Sequence, residues 1–384
     1  MKYELASSSW DGEEQEAIRR VVESGRFTMG ENVREYEEAF AKTVGSRHCV
    51  AVNSGSSANL LAVAALTLRR ENPLRRGDEV LVPALSWPTT YTPFHQYGLK
   101  MRFVDIDRHT LNYDLEALAA AVTPQTRAIA VVNILGNPND FDAVKRIADS
   151  HGLVLIEDNC EALGAEWRGR QTGTFGAVGT FSTFFSHHMS TMEGGVVATD
   201  DDEIYHILLS IRSHGWTRHL PRHNLVCEKG DDPFEESFRF VLPGYNVRPT
   251  ELTGAIGLAQ LKKLPGFIAA RRKNAERFLE LFGEDGRFIV QRELGKSSWF
   301  GFSLVARDGA EGRREALRRL AAAGIETRPI VAGNFARKEV VRYFDCTIPP
   351  QLPNADFVDA GGFFVGNHQF DISDRLELLR SALA

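Results

Sequence analysis

Hydrophobic and polar positions along the first two hundred residues alternate between a helical rhythm and short β-branched runs. Apolar residues recur at three- and four-residue steps over Glu13–Ser24, Val33–Val44 and Ser57–Leu68, which predicts helices. His48–Asn53, Glu79–Pro83, Met101–Asp105, Ala128–Asn133 and Leu153–Glu157 read as strands, with Leu115–Val122 and Asp142–His151 helical between them. This alternation predicts an α/β fold with a mostly parallel sheet, whose ligands bind beyond the carboxyl ends of its strands. Chemistry is therefore expected in the loops that follow strands.

After Asp200 the texture changes. A helix over Glu203–Ser213 gives way to Gly230-Asp231-Asp232-Pro233 and Leu242-Pro243-Gly244, punctuation that marks a break. Helices over Glu251–Leu264, Gly266–Phe282 and Gly312–Ala323, with strands at Phe288–Gln291 and Trp299–Val305, follow it. The pattern predicts a large domain at 1–254 and a smaller C-terminal α/β domain at 255–384. No internal repeat is visible.

Composition narrows the function classes. A chain of 384 residues can bury a core without cross-links, and Cys49, Cys160, Cys227 and Cys346 lie 111, 67 and 119 positions apart, too scattered for a disulfide scaffold or a zinc knuckle. Reduced, cytoplasmic thiols are the expectation. A net charge of −6 with no long Lys/Arg run argues against nucleic acid as a partner. No stretch approaches the roughly 20 apolar residues of a membrane span.

Four loops carry candidate chemistry. Asn53-Ser54-Gly55-Ser56-Ser57-Ala58-Asn59 follows a strand and opens a helix, so it is either an anion cradle suited to a phosphate or an ordinary Ser/Gly cap. Glu157-Asp158-Asn159-Cys160-Glu161-Ala162 ends a strand, where Asp158 either pairs with a cationic ring nitrogen or a metal, or caps the backbone. Thr180 through Gly195 contains the adjacent His187 and His188; neighbouring side chains of extended chain point apart, which disfavours a shared metal ion but leaves structural roles open. Gly244-Tyr245-Asn246-Val247-Arg248-Pro249, alone, reads as a turn.

In this order and spacing the four motifs resemble the sugar-nucleotide aminotransferase family, pyridoxal-phosphate enzymes of the aspartate aminotransferase fold type (PLP fold type I). In that family a lysine six residues before Glu-Gly-Gly forms the Schiff base with the cofactor. Here Glu193-Gly194-Gly195 sets that position at His187, and residues 146–228 contain no lysine. The departure is similar to a branch of the family, the sugar-nucleotide 3-dehydratases of deoxysugar and O-antigen lipopolysaccharide biosynthesis, in which histidine replaces the lysine. That likeness runs from Leu5-Ala6-Ser7-Ser8-Ser9-Trp10-Asp11 through Ser213-His214-Gly215-Trp216-Thr217 and Arg328-Pro329-Ile330 to Val365-Gly366-Asn367-His368.

The resemblance implies roles position by position. Gly55, Ser56 and Ser182 hold the cofactor phosphate, joined by Asn246 from the neighbouring subunit of a homodimer with active sites at its interface. Trp87 stacks on the cofactor ring, unless it is simply a core tryptophan. Asp158 binds the ring nitrogen, and Glu161, where many relatives carry glutamine, orients the ring hydroxyl or a water. Imidazole forms no stable Schiff base but carries protons well near neutral pH. The cofactor is therefore expected non-covalently, as pyridoxamine phosphate, with His187 as the catalytic base and His188 its competitor by register alone. The implied substrate is GDP-4-keto-6-deoxy-D-mannose, losing its C3 hydroxyl, with L-glutamate restoring the amine. Arg328 is the candidate for the glutamate carboxylate and His214 for a sugar contact.

Two other readings stay open: a 4-aminotransferase, which needs a lysine for imine exchange, and a non-catalytic binding or regulatory protein that retained the fold. Related dehydrases that bind an iron–sulfur cluster do so through clustered cysteines, which the spacing here lacks.

Overall fold

The β-branched runs form the strands of a central sheet in the computed structural model, which describes residues 2–384. Thirteen strands occur among them: β1 (His48–Val52), β2 (Glu79–Pro83), β3 (Lys100–Val104), β4 (Thr126–Val132), β5 (Val154–Asp158), β6 (Glu166–Trp167), β7 (Arg170–Gln171), β8 (Val178–Ser182), β9 (Gly195–Thr199), β10 (Phe288–Val290), β11 (Gly301–Ala306), β12 (Cys346–Thr347) and β13 (Gly362–Gly366). Eight of them make one sheet in the order β1-β9-β8-β5-β4-β2-β3-β12. Only β9 runs against its neighbours there; the pairs from β8 to β12 are parallel. A three-stranded antiparallel sheet, β10-β11-β13, lies in the C-terminal third.

The helices are α1 (Gly12–Ser24), α2 (Glu31–Val44), α3 (Gly55–Leu68), α4 (Pro88–Gln96), α5 (Leu115–Ala121), α6 (Phe141–His151), α7 (Asp202–Ile211), α8 (Pro233–Ser237), α9 (Glu251–Phe282), α10 (Gly309–Ala322), α11 (Pro353–Gly361) and α12 (Ser373–Leu383). Helix α3 is apolar on nearly every face because it is sandwiched between the sheet and its helical neighbours, with Leu61, Ala62, Ala64, Ala65 and Leu66 fully buried. No helix among the described residues is long and apolar enough to cross a membrane.

The two helices expected on either side of Pro265 are one. Proline removes a backbone donor and usually breaks or kinks a helix. Here Leu261 and Leu264 before it and Ile268 after it are buried in a single cluster with Tyr36 and Phe40 of α2, which keeps both halves in line. Its far end, Phe278 and Phe282, enters a second core with Phe302, Phe363 and Leu376. The division at 254/255 falls in the first turn of α9, and packing crosses it both ways: Tyr3 joins the second core, whereas Ile330, Phe335, Val341 and Leu352 join the first. The strand expected from Trp299 starts at Gly301, because Trp299 has a left-handed φ of 48°.

Glu251, at the start of α9, is 3% exposed and caps another helix. Its Oε1 accepts N–H bonds from Gly30 (2.6 Å) and Val33 (3.1 Å), its Oε2 from the backbone (3.0 Å) and Nδ2 (2.8 Å) of Asn32. These donors are at the start of α2, where Gly30 has no side chain to cap with. Glu251→Ala leaves them unpaired and is expected to lower the unfolding free energy by about 2–4 kcal/mol; urea denaturation measures it, and a loss below ~0.5 kcal/mol contradicts the capping role.

Candidate active site

Strand β5 delivers two carboxylates to opposite faces of the sheet. Glu157, fully buried, accepts N–H bonds from Gly173 (2.6 Å), Phe175 (2.5 Å) and Gly176 (2.7 Å), so it braces the loop leading into β8; burial pushes it up to about 7. Asp158 faces the other way. Its Oδ2 accepts from Asn59 Nδ2 of α3 (2.8 Å) and Thr90 Oγ1 of α4 (2.6 Å), and its Oδ1 from the Cys160 N–H (3.2 Å). Thr180 Oγ1 of β8 in turn donates to Asn59 Oδ1 (2.5 Å). The Cys160 bond is the capping contact anticipated from sequence, but donors from two helices show that Asp158 is aimed rather than merely capping.

Beside it, α3 begins. The Ser54 hydroxyl accepts from the Ser57 N–H (3.1 Å), a conventional cap, and the N–H groups of Gly55 and Ser56 in the first turn have no intrahelical acceptor. A Cβ on Gly55 would lie 2.6 Å from the Ser182 Cβ and 3.0 Å from the Cys160 Sγ, so only glycine lets the ends of α3 and β8 approach. The loop is thus both a cap and a pocket of neutral donors at the positive end of a helix. Trp87 precedes α4 and is 56% exposed, which excludes a core role and leaves its indole available for stacking.

The two histidines part company. His188 is 1% exposed and its Nε2–H donates to the Ser298 carbonyl (3.2 Å). His187 stands edge-on to Phe300 (5.1 Å) and Phe184 (5.9 Å), with Nδ1 closed off from solvent and without a partner, so Nε2 is its accessible nitrogen. Burial, and then the Arg271 guanidinium, push His187 down to about 4 and lower His188 as well. Arg271 is itself buried and fixed by the carbonyls of Phe300 (3.1 Å) and Asn367 (2.9 Å). At neutral pH the His187 imidazole is uncharged and can take a proton.

The remaining candidates lie around this centre. Glu161 is partly buried and accepts the Leu135 N–H (3.1 Å). Asn246 is exposed, and its Oδ1 accepts from Arg248 Nε (3.0 Å), while the next residue, Val247, accepts the Asn53 N–H (3.0 Å). His214 has a left-handed φ of 62°; its N–H donates to the Tyr245 carbonyl (2.6 Å), and its ring meets Trp216 at 4.9 Å. Arg328 pairs by backbone with Phe364 and is exposed without an ion pair; the chain beyond it returns to the site, where the Ala332 N–H donates to the Ser86 carbonyl (3.4 Å). Lys229, the first lysine after the lysine-free stretch, donates its ammonium to the carbonyls of Thr217 (3.1 Å) and Leu220 (3.0 Å).

Sequence reasoning missed Asn59, Thr90 and Arg271. Asn59 had a signal, a lone amide at the start of an apolar helix; Thr90 and Arg271 had none.

A family model matches residues 8–365, that of the DegT/DnrJ/EryC1/StrS aminotransferases. The chain belongs to the DegT/DnrJ/EryC1/StrS aminotransferase family. Within that family it is 55% identical to the GDP-4-keto-6-deoxy-D-mannose 3-dehydratase of Yersinia pseudotuberculosis, over 100% of this chain and 98% of that one. A crystal structure of GDP-4-keto-6-deoxymannose-3-dehydratase with a trapped PLP-glutamate geminal diamine superposes with a TM-score of 0.98 at 54% identity, covering both chains fully. A form of ColD in which a histidine and the serine directly before it are both replaced superposes with a TM-score of 0.96 at 54% identity, covering 98% of this chain and 100% of that one.

Burial, with Asp158 adding a smaller push, raises Glu161 to about 7. The folded state then keeps a proton that the unfolded chain releases near 4.5, so stability falls as pH rises from about 4.5 through 7. Glu161→Gln removes that loss while keeping an acceptor for Leu135. In cofactor-free protein the variant's stability relative to wild type should be about 1–3 kcal/mol more favourable at pH 8 than at pH 5; urea titrations at both values check this, and a pH-independent difference contradicts it.

Proposed function

We propose that this chain removes the C3 hydroxyl of GDP-4-keto-6-deoxy-D-mannose, with pyridoxal phosphate as cofactor and L-glutamate as the source of the reducing amine. Overall, the 4-keto-6-deoxy sugar and glutamate give GDP-4-keto-3,6-dideoxy-D-mannose, 2-oxoglutarate and ammonia, so the oxygen lost by the sugar balances the oxidation of the amino acid. The observation that carries the reading is His187: a neutral, partly enclosed imidazole stands six residues before Glu193, and no lysine lies between 146 and 228. The relative from Yersinia bears the name of this activity.

The residues present fit the cofactor. The free N–H groups in the first turn of α3, which the glycine at 55 lets lie against Ser182, suit a phosphate, and a carboxylate held by Asn59 and Thr90 suits a ring nitrogen. Pyridoxamine phosphate, when bound, supplies an amine for the 4-ketone and a ring that takes up electron density. Gly55, Ser56 and Ser182 anchor its phosphate, Trp87 stacks on its ring, Asp158 holds the proton at its nitrogen, and Glu161 serves the ring hydroxyl. In a homodimer, Asn246 completes the phosphate site of the partner subunit.

His187 moves protons through Nε2, taking one up in the step that expels the hydroxyl and serving again when glutamate restores the amine. His188 acts as its support, since its own Nε2 is committed to Ser298. Consecutive replacement of a serine and a histidine in ColD favours the same register, because of the two histidines here only His187 follows a serine. Arg328 receives the glutamate carboxylate through a two-pronged guanidinium contact, and His214 meets the sugar.

Incubation with pyridoxal phosphate, L-glutamate and GDP-4-keto-6-deoxymannose is expected to release ammonia and a 3-deoxy sugar. His187→Asn should lower that turnover at least ~100-fold, the lower range for loss of a general base, while the cofactor still binds. An amino sugar as product contradicts dehydration, absence of either product favours a binding protein, and loss of turnover in His188→Asn but not His187→Asn contradicts the register.

A further inference from the structure

His187 lacks a hydrogen-bond partner that would aim its ring, since Nδ1 is buried and unpaired and its aromatic neighbours, Phe184 and Phe300, meet it edge-on. Its orientation therefore depends on the backbone that carries it. That backbone is the loop between β8 and β9, closed at its base by the Thr183 N–H on the Gly194 carbonyl (2.9 Å), the Thr191 N–H on the Thr183 carbonyl (2.8 Å) and the paired Thr183 and Thr191 hydroxyls (2.6 Å). Among the described residues, the stretch 184–190 has one internal backbone bond, from the His187 N–H to the Phe184 carbonyl (2.9 Å). His188 and Met189 are buried beyond it, and Ser190 is left to fix the path of the chain.

The groups that hold Ser190 come from the first residues of the chain and from α9. The Ser190 carbonyl accepts the Trp10 indole N–H (3.0 Å), and the Ser190 N–H donates to Gln260 Oε1 (2.9 Å). Gln260 is a fully buried amide whose hydrogen-bonding positions are all taken. Its Oε1 also accepts the Ser9 hydroxyl (2.7 Å), while Nε2 donates to the Ser9 carbonyl (3.1 Å) and to Glu14 Oε1 of α1 (2.8 Å). Trp10 is framed on both sides. Before it, the Ser7 hydroxyl meets His368 Nδ1 (2.7 Å) and the Ser8 carbonyl accepts Gln369 Nε2 (2.7 Å); after it, Lys263 Nζ holds Asp11 (2.6 Å) and Glu14 (2.8 Å). A buried polar network with every member satisfied specifies one arrangement of the chains that supply it.

We infer that Trp10 and Gln260 are positioning residues for His187: by clamping the Ser190 carbonyl and N–H, they hold the loop so that Nε2 faces the reacting atoms. This rests on His187 being the base of the reaction proposed above. It gives the N-terminal segment a part in catalysis without contact with cofactor or substrate. Since the same imidazole serves dehydration and the recharging by glutamate, a loosened clamp slows both.

The test uses holoenzyme and follows the two half-reactions separately, each rate taken per cofactor-loaded site: reaction of bound pyridoxal phosphate with L-glutamate, by absorbance, and ammonia release from GDP-4-keto-6-deoxymannose. Trp10→Phe removes the N–H and keeps a ring at a half-buried position, so it spares the core that Gln260→Ala would open. It should slow both half-reactions by the same factor, about tenfold, as expected for a slightly misplaced base. KM for glutamate and for the sugar nucleotide, and cofactor loading, should not change. Unchanged rates per loaded site, slowing of one half-reaction alone, or loss of cofactor loading overturns the assignment. His187→Asn, measured alongside, refutes the base assignment itself if both rates are unchanged. Wild-type enzyme that reacts with glutamate but gives an amino sugar, or leaves the GDP-sugar intact, refutes the substrate reading, and the glutamate half-reaction still decides the role of Trp10.

Discussion

The bonds that converge on Asp158 determine the architecture of the site. Asn59 comes from α3, Thr90 from α4, and Thr180, which fixes Asn59, from β8. Each of these elements also carries another piece of the site: α3 the Gly55–Ser56 turn, α4 the preceding Trp87, and β8 Ser182 with the histidines beyond it. A buried carboxylate needs its hydrogen bonds, and satisfying this one fixes the first turn of α3, Trp87 and the carboxylate in a single arrangement. The parallel sheet makes this possible by bringing the end of β5 beside the end of β8.

A second assembly lies behind the histidines. Ser298, Trp299 and Phe300 form a short segment with one left-handed residue; the Ser298 carbonyl holds His188, the Phe300 ring faces His187, and the Phe300 carbonyl holds Arg271. The segment is fastened to residues 135 and 136 through the Ser298 N–H to the Gly136 carbonyl (3.0 Å) and the Phe300 N–H to the Leu135 carbonyl (2.9 Å). Left-handed Leu135, Gly136 and Trp299 are concentrated here, as expected where a fold accepts backbone strain to shape a site. The unpaired Arg271 disfavours a charged imidazole nearby. Together with burial, it keeps the imidazole six residues before Glu193 uncharged at neutral pH.

Much of this was legible in the sequence because the relevant signals are local. The strand, glycine and helix order announced the turn that opens α3, the acidic residue at the end of β5 announced a buried carboxylate beside it, and counting from Glu193 singled out the less buried of the two histidines. What sequence did not reveal depends on distant packing. Helix α9 runs through Pro265 because α2 holds both sides of it, β12 joins the large sheet from the far end of the chain, and Arg271 reaches the histidines only because α9 crosses beneath them. Helix α4 was missed because Pro88 and Pro93 obscure its periodicity; Pro88 stands in its first turn, where a proline is tolerated, but Pro93 lies inside.

The central claim is that His187 works as a proton carrier beside a cofactor that is never tethered to the chain. Borohydride treatment of the pyridoxal-phosphate holoenzyme, followed by intact-mass measurement of the denatured protein, addresses it most directly. The account predicts an unmodified chain mass, with the reduced cofactor lost on denaturation. A mass increase corresponding to one covalently reduced cofactor per chain would show that a lysine reaches the site, and would contradict it.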